Sequence, residues 1–180
     1  MYDFSIDELL AILAEAKRHS ERDWLMMCVA YNHGLRVSEL TGKKAFRGKD
    51  VADGRLYIKR EKRGELCIHP LVENPNPLLN ERLLLLAYAA KTRPGEPVFK
   101  IGRQWFWVLV KRYAKAAGIP ARQARTHSFR HTVAMNLVDK IGVPKLQRFL
   151  GQRSEGAVLR YTKPKEKDAT DAANRVLSER

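Results

Sequence analysis

Arg55-Leu56-Tyr57-Ile58-Lys59-Arg60-Glu61-Lys62-Arg63-Gly64-Glu65-Leu66-Cys67-Ile68-His69-Pro70 breaks the helical rhythm that governs most of this chain. Leu56 and Ile58 alternate with more polar neighbours, and Leu66 and Ile68 repeat the alternation beyond Lys62-Arg63-Gly64. A period of two is that of a strand. Two such runs around a short glycine-containing tip predict an antiparallel β-hairpin with a basic turn.

Outward from this hairpin, both flanks read as helix. Upstream, Ser5 and Glu8 form a capping box ahead of Leu9, Leu10, Ile12 and Leu13. A second helix runs from about Arg22 through Met26, Met27, Val29 and Ala30 to a stop at Gly34, so that Arg36 opens a new helical turn. Downstream, Pro75 and Pro77 interrupt the chain before an apolar helix over 78–90, whose Leu83, Leu84, Leu85 and Leu86 read as core. A turn at Pro94-Gly95 precedes a short strand at Val98-Phe99, and a helix over 105–117 ends at Gly118. Trp105, Phe106 and Trp107 could stack on bases, but their spacing with Leu109, Val110 and Tyr113 predicts buried packing. A helix over 127–141 puts Ala134, Leu137, Val138 and Ile141 on one face and ends at Gly142, after which Val143-Pro144 starts another carrying Leu146, Phe149 and Leu150. The expected class is α+β, mainly α, with one small antiparallel sheet.

The chain has 180 residues, 44% of them hydrophobic, which suffices for one well-packed core. Lys and Arg number 34 against 20 Asp and Glu, a formal charge of +14, and so favour a polyanionic partner, nucleic acid first. Cys28 and Cys67 stand far apart in apolar surroundings, which indicates neither a disulfide framework nor a zinc cluster and suits a reducing cytosol. No run approaches the ~18 apolar residues of a membrane span, and residues 1–8 lack a basic-then-apolar export pattern. A soluble, cytoplasmic protein is expected.

Breaking a phosphodiester without a metal needs a nucleophile, cations on the non-bridging oxygens where charge accumulates, and an acid for the departing oxygen. Arginine suits the clamp because its planar fork binds two phosphate oxygens at once, whereas lysine can give up a proton. Three blocks supply such residues: Gly34-Leu35-Arg36-Val37-Ser38-Glu39-Leu40, His127-Ser128-Phe129-Arg130-His131-Thr132, and Leu150-Gly151-Gln152 followed by Arg160-Tyr161-Thr162. His127 and Arg130, three apart on one helix, share a face and can address one phosphate. His131 points elsewhere on that helix and reads as a packing residue or as one that supports the site residues from behind. The polar neighbours of Tyr161 do not describe a buried strand or helix centre.

In order and approximate spacing, these blocks resemble those of the tyrosine site-specific recombinase (phage integrase) family. The resemblance spans nearly the whole chain and implies a helical catalytic domain over 1–163. It implies attack by Tyr161 on the scissile phosphate, giving a 3′-phosphotyrosyl link and a free 5′-hydroxyl, with Arg36, His127 and Arg130 around the phosphate. The bond energy is kept, so no cofactor is implied. The family's catalytic lysine lies on the hairpin, and counting back from Pro70 aligns it with Lys62, with Lys59 as the alternative. Gln152 stands where the family usually has histidine or tryptophan; its amide can donate a hydrogen bond to phosphate but cannot carry a proton.

The resemblance further implies double-stranded DNA as partner and a tetrameric synapse on it, the free protein being monomeric. Beyond Pro164, Ala169, Ala172, Ala173 and Val176 space a short helix, so that 164–180 forms a tail expected to dock on a neighbouring protomer. Larger relatives carry an N-terminal core-binding domain, for which this chain has no room; it is expected to be either a fragment or a compact member like the small fimbrial invertases, which it also resembles. Two other readings stay open: a DNA-binding regulator that has lost turnover, and a type IB topoisomerase-like enzyme that religates the same strand.

Overall fold

A computed structural model describes residues 3–60 and 66–152 together with Val158, Tyr161 and Ser178. The tip of the hairpin with Lys62, and the tail helix expected beyond Pro164, lie outside the described residues.

The chain opens with α1 (Ile6–His19), started by the expected capping box: the Ser5 hydroxyl accepts from the Glu8 amide at 3.1 Å while the Ser5 amide donates to Glu8 Oε2 at 2.8 Å. Its apolar stripe, Leu9, Ile12, Leu13 and Ala16, is buried against α2 (Glu21–Asn32). The turn that ends α2 leads into the single-turn α3 (Val37–Leu40). After two 3-10 turns come β1 (Val51–Ala52), β2 (Arg55–Lys59) and β3 (Leu66–Pro70), an antiparallel meander in the order β1-β2-β3. Then follow α4 (Arg82–Lys91), α5 (Arg103–Ala116), α6 (Ser128–Ile141) and α7 (Val143–Leu150). Helix α1 also packs on α5, α2 on α6, and α6 on α7. No helix of the described residues is long and apolar enough to cross a membrane.

The hairpin forms as expected, but its second strand turns its apolar residues outward. Leu56 pairs with His69 and Ile58 with Cys67, and directly opposed residues of an antiparallel pair share a face. Buried Leu56 and Ile58 therefore bring His69 and Cys67 inward, leaving Leu66 and Ile68 exposed.

Four other expectations need correction. Only Phe106 of the aromatic triplet is buried, while Trp105 and Trp107 are 52% and 49% exposed, because neighbouring helical residues point about 100° apart and one face cannot hold all three. Of the four leucines of α4, Leu85 is fully buried and Leu83 is exposed for the same reason. The helix itself starts at Arg82 rather than 78, since Asn76 caps a turn there through Leu78 N at 3.0 Å. Val98 and Phe99 are buried but form no strand; the pairing is a single bridge between Arg47 and Pro97.

Most of the core is one cluster running from α1 through α5 to Phe129. A second, smaller cluster gathers Ala134, Val138, Leu146, Leu150, Val158 and Tyr161.

Candidate active site

The end of α2 sets the position of Arg36. Gly34 N bonds to the Tyr31 carbonyl at 3.1 Å and Leu35 N to the Ala30 carbonyl at 3.0 Å, which closes the helix and turns the chain so that Arg36 caps α3. Arg36 donates from its backbone to Glu39 Oε2 at 2.8 Å and from its guanidinium to Glu39 Oε1 at 2.9 Å. Glu39 is buried, and a second guanidinium, that of Arg60, reaches its Oε2 at 2.8 Å. Burial alone would raise the Glu39 carboxyl; Arg60, the backbone and guanidinium of Arg36, and Arg130 together hold it below the usual carboxylate range.

Arg130 occupies the first turn of α6 and is only 4% exposed. Its two terminal nitrogens donate to the Gly34 carbonyl at 2.5 Å and the Leu150 carbonyl at 2.9 Å, so it bridges the turn before Arg36 and the end of α7. Burial first, then the fields of Arg36 and Arg60, pull its guanidinium down to about 9, which leaves it charged at neutral pH. His127, at the cap of α6, has its imidazole pushed below the usual histidine range by desolvation and by Arg103, Arg130 and Arg36. The charges of Arg103, Arg130 and Arg36 all act on His127.

Tyr161 is 5% exposed, contrary to the reading of its polar neighbours: it is seated in the small cluster between α6 and α7. The flanking charged residues do not decide the matter, because one residue per turn can face inward while its neighbours stay in water. Its hydroxyl lies 2.8 Å from His131 Nδ1. His131 is thus not mere packing: it follows Arg130 in α6 and touches the tyrosine oxygen.

Gln152 comes directly after Gly151, which ends α7 in the left-handed region at φ 59° and ψ 44°. Its amide nitrogen bonds to the Gln147 carbonyl at 3.0 Å, and its side-chain Oε1 is buried without a hydrogen-bond partner. The residue lines a cleft of about 770 Å³ between the β3 edge and α7. Lys62 lies outside the described residues. Lys59 ends β2, is exposed, and lines a groove of about 680 Å³ with Lys43, Lys44, Arg47 and Lys49.

The structure therefore brings Arg36, His127, Arg130 and Tyr161 around the α3–α6–α7 junction and adds Glu39, Arg60, His131 and Arg103. A signal for Arg60 was present in the sequence, since it continues the period of two set by Leu56 and Ile58, although β2 itself ends at Lys59. Nothing comparable marked Arg103.

The phage integrase family model matches residues 2–168. The chain is 33% identical over 175 residues to the tyrosine recombinase XerD of Xanthomonas campestris pv. campestris, covering 87% of this chain and 52% of that protein. It is 26% identical over 148 residues to the type 1 fimbriae regulatory protein FimE of Escherichia coli K12, covering 78% of this chain and 74% of that one. Among solved structures, the XerA recombinase superposes with a TM-score of 0.70 at 17% identity over 97% of this chain and 63% of that chain. A lambda integrase dimer bound to a COC′ core site gives 0.70 at 22% identity over 89% of this chain and 47% of that chain. This chain spans about half the length of the XerD relative. The three sequence blocks, the helical domain around a small meander and the matched model over 2–168 agree, and the chain belongs to the phage integrase family.

Proposed function

We propose that this chain is the catalytic domain of a site-specific DNA recombinase, over 1–163, acting on double-stranded DNA in the cytoplasm. The observation that carries the reading is the Tyr161 hydroxyl held 2.8 Å from His131, the residue next to Arg130 in α6. A buried tyrosine with its oxygen on an imidazole, beside a guanidinium that senses its charge, is arranged for proton loss and attack.

In the proposed step, Tyr161 Oη attacks the scissile phosphorus and its proton passes to Nδ1 of His131, in the tautomer protonated at Nε2. The bond from phosphorus to the 5′-oxygen breaks; Lys62, or Lys59 in its place, donates the proton that makes the 5′-hydroxyl. Arg36, Arg130 and neutral His127 bind the non-bridging oxygens as charge builds there, and the Gln152 amide can add a hydrogen bond. Attack by another strand's 5′-hydroxyl reverses the step and completes exchange. A lambda integrase tetramer bound to a Holliday junction is among the structural neighbours, which supports a tetramer on DNA; in that assembly the tail 164–180 docks on an adjacent protomer in our reading.

A second reading, a DNA-binding regulator without turnover, draws on Gln152, which cannot carry a proton, and on the name of the FimE relative. Incubation with duplex DNA nicked near the cleavage point, followed by a denaturing gel, decides between them. We expect a covalent band that Tyr161→Phe abolishes while DNA binding stays nearly intact; a wild-type protein that binds without forming the band favours the regulator.

A further inference from the structure

Arg60 directly follows β2, and its long charged side chain is buried, with 1% exposure. Its guanidinium donates to three acceptors on two other segments: Glu39 Oε2 at 2.8 Å, the His33 carbonyl at 3.3 Å and the Phe149 carbonyl at 2.7 Å. Arg130 bridges the adjoining residues of the same two segments, Gly34 and Leu150. Two buried arginines thus run side by side between the turn that presents Arg36 and the corner that presents Gln152.

The charges make Arg60 more than a strut. Arg36, Arg60 and Arg130 share one buried carboxylate, Glu39, whose neutralising capacity is divided between Arg36 and Arg60. Without Arg60, the Glu39 carboxylate would lose that guanidinium and turn more of its charge on Arg36, and a guanidinium more fully paired with its own carboxylate is a poorer phosphate clamp. The stem of Arg60 also fixes the α7 corner: a methyl group added at Gly151 would meet Arg60 Cγ at 2.4 Å.

We infer that Arg60 is a positioning residue of the cleavage reaction: by taking one oxygen of Glu39 and the carbonyls of His33 and Phe149, it keeps Arg36 under-neutralised and aligned, and holds the Gly151-Gln152 corner in register. The inference rests on the recombinase reading. Arg60 has no surface to offer DNA, so it acts on the rate of covalent complex formation and not on affinity.

The test measures single-turnover covalent complex formation on saturating nicked duplex, and DNA affinity separately, for the wild type, Arg60→Met, Arg60→Lys and the double variant Glu39→Gln/Arg60→Met. Arg60→Met is expected to slow cleavage about 100-fold, as for a misaligned reacting group, while affinity stays within about threefold. The double variant should recover part of that loss, since an amide releases Arg36; a merely structural Arg60 predicts a further loss instead. Arg60→Lys, which keeps the charge but cannot span three acceptors, should fall between, and it carries the test if the methionine variant does not fold. Wild-type rates in Arg60→Lys, loss of rate and affinity in equal measure, or a double variant slower than Arg60→Met would each overturn the inference. Absence of any adduct with the wild type would overturn the recombinase reading itself.

Discussion

Gly151→Ala should be far more damaging than an alanine at another left-handed glycine, and the structure gives the size of the difference. Gly151 has φ 59° and Gly118 has φ 73°, so both alanines pay a backbone cost of about 1–2 kcal/mol. Around Gly118 a Cβ meets nothing within 4 Å, whereas at Gly151 it meets the Cγ, Cδ and Nε of Arg60 at 2.4, 2.9 and 3.0 Å. Arg60 cannot swing aside, because it is enclosed and bonded at both terminal nitrogens, so either α7 shifts or those bonds stretch. Overpacking of this kind adds about 1–3 kcal/mol, for a total of roughly 2–5 kcal/mol at Gly151. Urea unfolding of both variants, at unchanged m-value, reads the difference directly. Equal midpoints for the two alanines would refute the contact between Gly151 and Arg60 and with it the account of how the α7 corner is held.

Two further outcomes follow from the charges. His69 is buried with its imidazole lowered to about 3, by desolvation first and then by His33 and Arg60. The unfolded chain takes up this proton near pH 6.5 and the folded chain only near 3, so stability falls with decreasing pH across that window, by up to about 1.4 kcal/mol per pH unit. Urea midpoints at pH about 7.5 and about 5 should therefore separate less in His69→Phe than in the wild type, and identical separations would show that His69 does not titrate as described. For DNA binding, log K should fall linearly with log salt, and Lys43→Gln and Lys49→Gln should each flatten the slope by about 0.9 if the basic groove follows the phosphates. Unchanged slopes in both variants would place the DNA elsewhere.

The fold was legible wherever one residue type at one spacing decides the outcome. The Ser5–Glu8 box, the stop at Gly34, the period-two run at Leu56 and Ile58, and the Gly142–Pro144 break between α6 and α7 all appear where the sequence places them. Faces were harder to read, because they depend on register and on neighbours far away in the chain. Cys67 and His69 turn inward only because β2 fixes the pairing, and Trp105 and Trp107 stay exposed only because Phe106 holds the α5 face. Within the candidate site, Arg36, His127, Arg130 and Tyr161 were found from their blocks. The contact between His131 and Tyr161 joins residues 30 positions apart, and the bond from Arg60 to Phe149 joins residues 89 apart, separations that no local period encodes.

The small cluster around Tyr161 has an energetic meaning of its own. It shares no buried residue with the main core, and at its Leu150 end the described polar ties to the rest of the protein include the hydrogen bonds from Arg60 and Arg130 to the last carbonyls of α7 and the longer contact of the Cys67 thiol with the Arg148 carbonyl. A unit joined in this way can unfold sub-globally, at a free energy well below that of the whole domain, while Arg36 and the turn before it remain native. Such an opening breaks guanidinium–carbonyl bonds and exposes the few apolar side chains of this cluster, so its amide exchange should depend on denaturant less steeply than that of α1 and α2, whose opening exposes the main core. Tyr161, the proposed nucleophile, therefore belongs to the smaller unit together with α6, which carries Arg130, whereas Arg36 lies in the turn that follows α2. On the proposed reading, opening this unit withdraws Tyr161 and breaks the tie of Arg130 to Leu150 together, while the contact of Arg36 with Glu39 stays in place.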